Sequence, residues 1–426
     1  MTAAGVAFYV TVSAWSTRHL WFWWDEISYL RAQRIPRYEL QGFLGNWLPG
    51  GRVAFRALQE PFGNAYWAYV GVNALLASGV AWLIADAFGQ LIARPLHRAM
   101  LVVALLSSTS FLANVVYASE AGRWISIGVV LAGLAIARRH RMILLPAVAV
   151  AVSSVMWLSS AIPMALVVCV LVPHAWSRRD RLGAGASAIA VAAATTVIGR
   201  AIAVRYVPTQ ETSLIGEAPS VEALSSDAVD VLVRSAASWW SQLIAPVVPG
   251  LWTEEAWMRA VFNQLLDQGY VAAAFATITL IVLGWWPGLL RRAAAAGVAL
   301  FVVCLGIVAR GWEWLNTGPE LKYGNVTNIL AIACWLRVWE WLRASSGPTS
   351  RLAARALGAL GACVVAANVL ALPRTLDRLT GEDWHVGSAE QKQELTRCAT
   401  EPGDVRVVYP GQTAVELCEM YLALED

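Results

Sequence analysis

Long apolar runs separated by short, arginine-rich links set the pattern of this chain. A helix that crosses the hydrocarbon of a bilayer takes about 20 mostly apolar residues, and about eleven runs approach that length. They are Ala3 to Trp23, Tyr66 to Phe88, Ala99 to Ala118, Trp124 to Ala137, Leu144 to Trp157, Ala161 to Trp176, Gly183 to Val204, Tyr270 to Trp286, Ala293 to Ala309, Asn325 to Leu342 and Ala353 to Pro373. The runs beginning at Trp124 and Leu144 are short, so they are expected to tilt, to lengthen at their ends or to be re-entrant. The pattern predicts an all-α polytopic membrane protein with about eleven transmembrane helices.

The links alternate in charge. Arg94 and Arg98, then Arg138, Arg139 and Arg141, then Arg178, Arg179 and Arg181, then Arg291 and Arg292, and finally Arg337, Arg343, Arg351 and Arg355 mark five links with only Asp86, Asp180 and Glu340 to offset them. Basic links face the cytoplasm. The remaining links then face outward and are acidic: the segment after the first run, 117–123, 205–269, 310–322 and the C-terminal tail.

Two outer links are long. In 31–64, Pro36, Pro49, Gly50, Gly51 and Pro61 divide short amphipathic pieces such as Val53-Ala-Phe-Arg-Ala-Leu-Gln, which read as helices lying in the interface. In 205–269 the pieces Asp227 to Pro246 and Glu254 to Gln268 read the same way, and the polar run Thr209 to Ser226 is the expected mobile lid. After the transmembrane domain 1–373 comes a small extracytoplasmic α+β tail, 374–426. It is expected to hold a strand and turn at Val405-Arg-Val-Val-Tyr-Pro-Gly and a helix over Ala414 to Leu424. Cys398 and Cys418 lie in it on the oxidising side, and their spacing predicts a disulfide.

Composition agrees with the membrane reading. Of 426 residues 58% are hydrophobic and only 14% charged, too few charges for the surface of a soluble protein of this size. A net charge of +3 gives nucleic-acid binding no support. The first run lacks a basic leader and reads as a retained span. Cys169, Cys304, Cys334 and Cys363 lie within apolar runs, where a thiol is a small packing group. There is no His/Cys cluster at metal-ligand spacing, no phosphate loop and no nucleophile elbow.

Candidate chemistry centres on Trp21-Phe-Trp-Trp-Asp25-Glu26-Ile-Ser-Tyr29. Trp and Tyr gather at headgroup level, so Asp25 and Glu26 are placed just outside the hydrocarbon, where a pair of carboxylates is costly and points to function. Tyr29 is expected to help line the same site. A second outward acid, Glu120, has Arg123 three residues on, hence on the same helix side, and the two are expected to bind substrate. Arg310, Lys322 and Tyr323 bracket the last outer link, and the two cations suit a phosphate. Asn325-Val-Thr matches a glycosylation sequon at a helix start.

This combination resembles the GT-C superfamily of integral-membrane glycosyltransferases, which use polyprenyl-phosphate sugars: an acidic pair after helix one, interfacial helices in the first outer loop, about eleven spans, a second outer acid and Lys322-Tyr323 opening a late helix. Asp25 and Glu26 are the catalytic candidates, and either carboxylate can serve as the base; the resemblance matches Asp25 to the family's general base with Glu26 beside it, and Glu120 to the second-loop acid. It further implies Arg310 or Lys322 at the donor phosphate, and a bacterial inner-membrane enzyme with an extracytoplasmic active site. The expected partners are a polyprenyl-phosphate sugar donor, a glycan, lipid or protein acceptor, and membrane lipid. Such chemistry needs a base for the acceptor hydroxyl and cations for the departing phosphate. It requires no cofactor, although a divalent metal is compatible with it. The alternatives are a lipid-linked-sugar flippase or transporter, whose charges would line a path through the membrane, and an O-antigen ligase or polymerase type enzyme.

Overall fold

A computed structural model describes residues 3–22, Glu26, 42–43, 46–47, 49–89, 92, 94–173, 175–205, 228–244, Thr279, 289–308, 324–379, 389–399, Cys418, Glu419, Tyr421 and Leu422. Helices dominate. In chain order they are α1 (Ala3–Ser16), α2 (Pro49–Phe62), α3 (Tyr66–Ala87), α4 (Pro95–Leu106), α5 (Thr109–Val116), α6 (Ala121–His140), α7 (Leu145–Met156), α8 (Ala161–Leu171), α9 (Arg178–Arg205), α10 (Ala228–Ile244), α11 (Leu289–Val308), α12 (Gly324–Ala344), α13 (Pro348–Leu379) and α14 (Ala389–Thr396). A minimal antiparallel hairpin, β1 (Gly42–Phe43) with β2 (Asn46–Trp47), precedes α2 and pairs Gly42 with Trp47.

The helices identify a membrane protein. Among the described residues five helices are long and apolar enough to cross a bilayer, and a sixth span is counted if α4 and the Ser110–Val116 part of α5 form one bent element. Their large exposed apolar side chains, such as Leu370 at 81% and Val197 at 70%, suit a lipid surround. The predicted run Trp124 to Ala137 is lengthened as anticipated: a 3₁₀ turn over Ala118–Glu120 leads directly into α6, which continues to His140. By contrast α1, α7 and α8 are short apolar helices. Gly324–Ala344 has 21 residues but carries Arg337, Glu340 and Arg343. The run Tyr270 to Trp286 lies outside the described residues apart from Thr279, as do the expected lid 209–226, the segment 254–268 and the tail strand 405–411.

Hydroxyls explain two of these breaks. The first apolar run does not remain helical to Trp23, because Ser16 and Thr17 turn their side chains back onto the Ser13 and Ala14 carbonyls, and such bonds compete with the helix ladder. The third run bends by 57° where the Ser107 hydroxyl bonds the Val103 carbonyl and the Ser108 hydroxyl bonds that of Leu105.

The amphipathic pieces bury part of their apolar surface against protein, while Val53, Val229 and Leu232 stay exposed. In α10, Trp239 is fully buried and donates to the Gly297 carbonyl inside α11 at 2.7 Å, while Trp335 of α12 donates to the Leu243 carbonyl at 2.7 Å. In α2, Gly51, Arg52 and Phe55 face inward and Arg56 outward, so only one of its two arginines is placed as a headgroup-facing residue would be.

The basic links gather at one end of the bundle. Arg98 donates to the Gly89 and Ile92 carbonyls, Arg138 pairs with Asp86, and His97 meets Trp339 edge-on. Arg337 pairs with Glu340 at 2.8 Å, and Arg292 is close enough to feel Arg181, Arg337 and Glu340 electrostatically.

At the opposite end α2 seats its Gly50-Gly51 start against α6 and α7. A Cβ on Gly122 would run into the Cα of Gly51, and one on Gly51 would meet the Met156 carbonyl at 3.0 Å. Backbone cannot yield cheaply, so Gly122→Ala is expected to destabilise the protein by about 1–3 kcal/mol. Thermal unfolding of the purified variant beside wild type measures this, and an unchanged midpoint refutes it.

Candidate functional site

The end away from the arginines is built on aromatic packing. Trp21 and Phe22, whose composition suggested headgroup level, are wholly buried in protein. Phe22 is ringed by Phe55, Tyr66 and Tyr69 at 5.2–6.0 Å between centroids, all edge-on. The short first helix is the reason: stopping at Ser16, it leaves the aromatic segment free to fold between α2 and α3.

That packing carries Glu26 into the interior, where its side chain is completely buried. Its Oε1 accepts the Ser119 backbone N–H at 3.2 Å and lies 3.4 Å from the Tyr66 hydroxyl. The Tyr66 proton has a closer acceptor in the Val116 carbonyl at 2.8 Å, so the Ser119 contact is the firmer of the two. Ser119 belongs to the 3₁₀ turn that opens α6, and the N-terminal end of a helix favours a negative charge. Asn73 in α3 ties the same turn down by donating to the Tyr117 carbonyl.

One residue further, Glu120 pairs with Arg123 at 2.8 Å, and both side chains are nearly excluded from solvent, at 3% and 6%. Arg123 also donates to Asn114 Oδ1 at 2.9 Å and lies 4.7 Å over the Trp157 ring. A surface pair three residues apart is worth a few tenths of a kcal/mol. Buried and bonded on several sides, this one is a bracing element. The polar chain continues from Asn114 to the Ser110 carbonyl, and Asn328 of α12 reaches the Ser110 hydroxyl. Asn325, in the sequon, is 1% exposed within α12 and so is closed to glycosylation in this structure.

The structure thus brings three of the sequence-derived candidates together, Glu26, Glu120 and Arg123. Asp25, Tyr29, Arg310, Lys322 and Tyr323 lie outside the described residues. Tyr66, Asn114 and Ser119 were not singled out from sequence, and neither was Arg52, fully buried in α2. Their side chains are ordinary in apolar runs, and the only sign in the sequence was a polar residue where the helix face should be apolar. Among the described residues no three His, Cys, Asp or Glu side chains are grouped to hold a metal. Compared with known proteins, the chain matches no family model, no curated protein and no solved structure.

Proposed function

We propose that the protein is an inverting glycosyltransferase that moves a sugar from a polyprenyl-phosphate donor to a glycan, lipid or protein acceptor on the extracytoplasmic side of a bacterial plasma membrane. The reading includes about eleven spans in a GT-C-like arrangement. The observation that supports it most is the meeting of Glu26 with the Glu120 turn at the end of the bundle opposite the gathered arginines. In this reading Glu26 is a fixed anchor, and Asp25, covalently adjacent, is the base.

The acceptor hydroxyl gives its proton to Asp25 as its oxygen bonds the anomeric carbon. The bond from that carbon to the phosphate oxygen breaks, and the lipid phosphate leaves with the electron pair. Arg310 or Lys322, with Tyr323, steadies the departing charge. A single displacement inverts the anomeric centre.

The test is wild-type protein in nanodiscs with a labelled polyprenyl-phosphate sugar and an acceptor extract. Release of free polyprenyl phosphate together with an inverted glycoside is expected. Movement of the intact donor across a vesicle bilayer without transfer would instead identify a flippase.

A further inference from the structure

The C-terminal tail reads from sequence as a separate module, yet its last described turn is built into the candidate site. Cys398 and Cys418 form a disulfide with Cα atoms 5.2 Å apart, and both are buried. Three residues past Cys418, the Tyr421 ring packs against Trp21 at 5.9 Å between centroids. Between them stands Asn64, in the turn joining α2 to α3. Its Oδ1 accepts the Trp21 indole N–H at 3.0 Å, and its Nδ2 donates to the Tyr421 carbonyl at 3.0 Å. One amide thus uses both ends to join the tail to the opening aromatic segment.

Trp21 is four residues before Asp25 and five before Glu26. The acidic pair therefore follows in the chain directly after the indole that Asn64 holds, and Glu26, the described member of the pair, is buried at the same end. The Trp21 indole is fully buried and would be left with an unmet N–H if the half-buried Asn64 amide were lost, so this bridge holds one arrangement against others.

We infer that Asn64 and the disulfide-held turn at Tyr421 are positioning elements for the segment Trp21–Glu26, so that the catalytic unit includes the C-terminal tail and depends on its oxidised state. Neither touches the reacting atoms. They act through Trp21, and the disulfide acts through Tyr421. The activity consequence rests on the transferase reading, whereas the positioning itself does not.

Two readouts test this on the full-length protein in nanodiscs. Hydrogen exchange of the peptide covering residues 20–26 reports positioning without any substrate. It is expected to speed up in Cys398→Ser/Cys418→Ser, in Asn64→Leu and in wild type reduced with dithiothreitol, while exchange within α3 stays unchanged. Trp21→Phe keeps an aromatic ring while removing the indole donor and part of the ring volume, so it should show the same or a larger change in a variant that folds.

In the transfer assay, kcat is expected to fall about 10- to 100-fold, the range a misplaced catalytic group produces, with KM for the donor nearly unchanged. Asn64→Leu added to the serine pair should cost little more than either alone, because both cut one connection. The serine variant should also ignore dithiothreitol. Unchanged exchange at 20–26 on loss of the disulfide and in Asn64→Leu would overturn the inference, and so would fully additive effects. A protein without transferase activity that still shows the exchange change would sink the proposed function and leave the positioning role standing.

Discussion

On the proposed transferase mechanism, Asp25→Asn is expected to reduce turnover by on the order of 100-fold or more while donor affinity stays close to wild type. The substitution keeps the size of the side chain and its ability to accept hydrogen bonds, and removes only basicity. A polyprenyl phosphate is already a good leaving group, so the acceptor hydroxyl is the weak partner, and the loss falls on kcat. Glu26→Gln supplies the contrast. Its carbonyl oxygen can still take the Ser119 N–H that now reaches Oε1 at 3.2 Å, so the anchor weakens without disappearing and the activity loss should be the smaller of the two. The measurement is single-turnover sugar transfer with saturating donor. Transfer by Asp25→Asn at the wild-type rate would remove the base assignment, and a larger loss in Glu26→Gln would exchange the two roles.

How much of this was legible in the sequence differs from one residue to the next. The alternation of basic and acidic links announced two chemically different ends, and the arginines do gather at one of them through Arg98, Arg138 and Arg337. The Cys398–Cys418 pairing was equally readable, from two cysteines some twenty residues apart in a small polar tail. Lengths of spans were not. Apolar residues say that a segment leaves water, but the hydroxyls of Ser16, Thr17, Ser107 and Ser108 decide where the helix stops or bends.

Hydropathy also does not say what covers an apolar face. The Trp239 end of the α10 stripe reads as lipid-facing until Trp239 is found buried and bonded to the Gly297 carbonyl, whereas Val229 and Leu232 do remain exposed. Trp21 and Phe22 likewise have the composition of an interfacial belt and the environment of a core. The site followed the same division: Glu26 and Glu120 stood out as acids beside apolar runs, whereas Asn114 and Tyr66 acquire meaning only from the partners that folding brings them.

Breaking the Glu120–Arg123 pair should be the most damaging change to stability at this end. Arg123→Met keeps most of the side-chain length and deletes the guanidinium, leaving Glu120 buried at 3% exposure without its cation, Asn114 without its donor and Trp157 without the ion over its ring. A buried charge deprived of its partner costs about 3–5 kcal/mol, well beyond the effect of an exposed pair. Glu120→Gln should also be costly, since buried Arg123 then loses the carboxylate 2.8 Å from it.

The double variant Glu120→Gln/Arg123→Met carries neither charge and should recover a large part of that loss. Unfolding of the four proteins under one set of detergent conditions gives the cycle directly. The Glu120 turn also supplies the Ser119 N–H that fixes Glu26, so each single variant should lose transfer activity in step with stability. Single variants that unfold together with wild type would show that the pair is solvated in the membrane-embedded protein, and the bracing role would have to be abandoned.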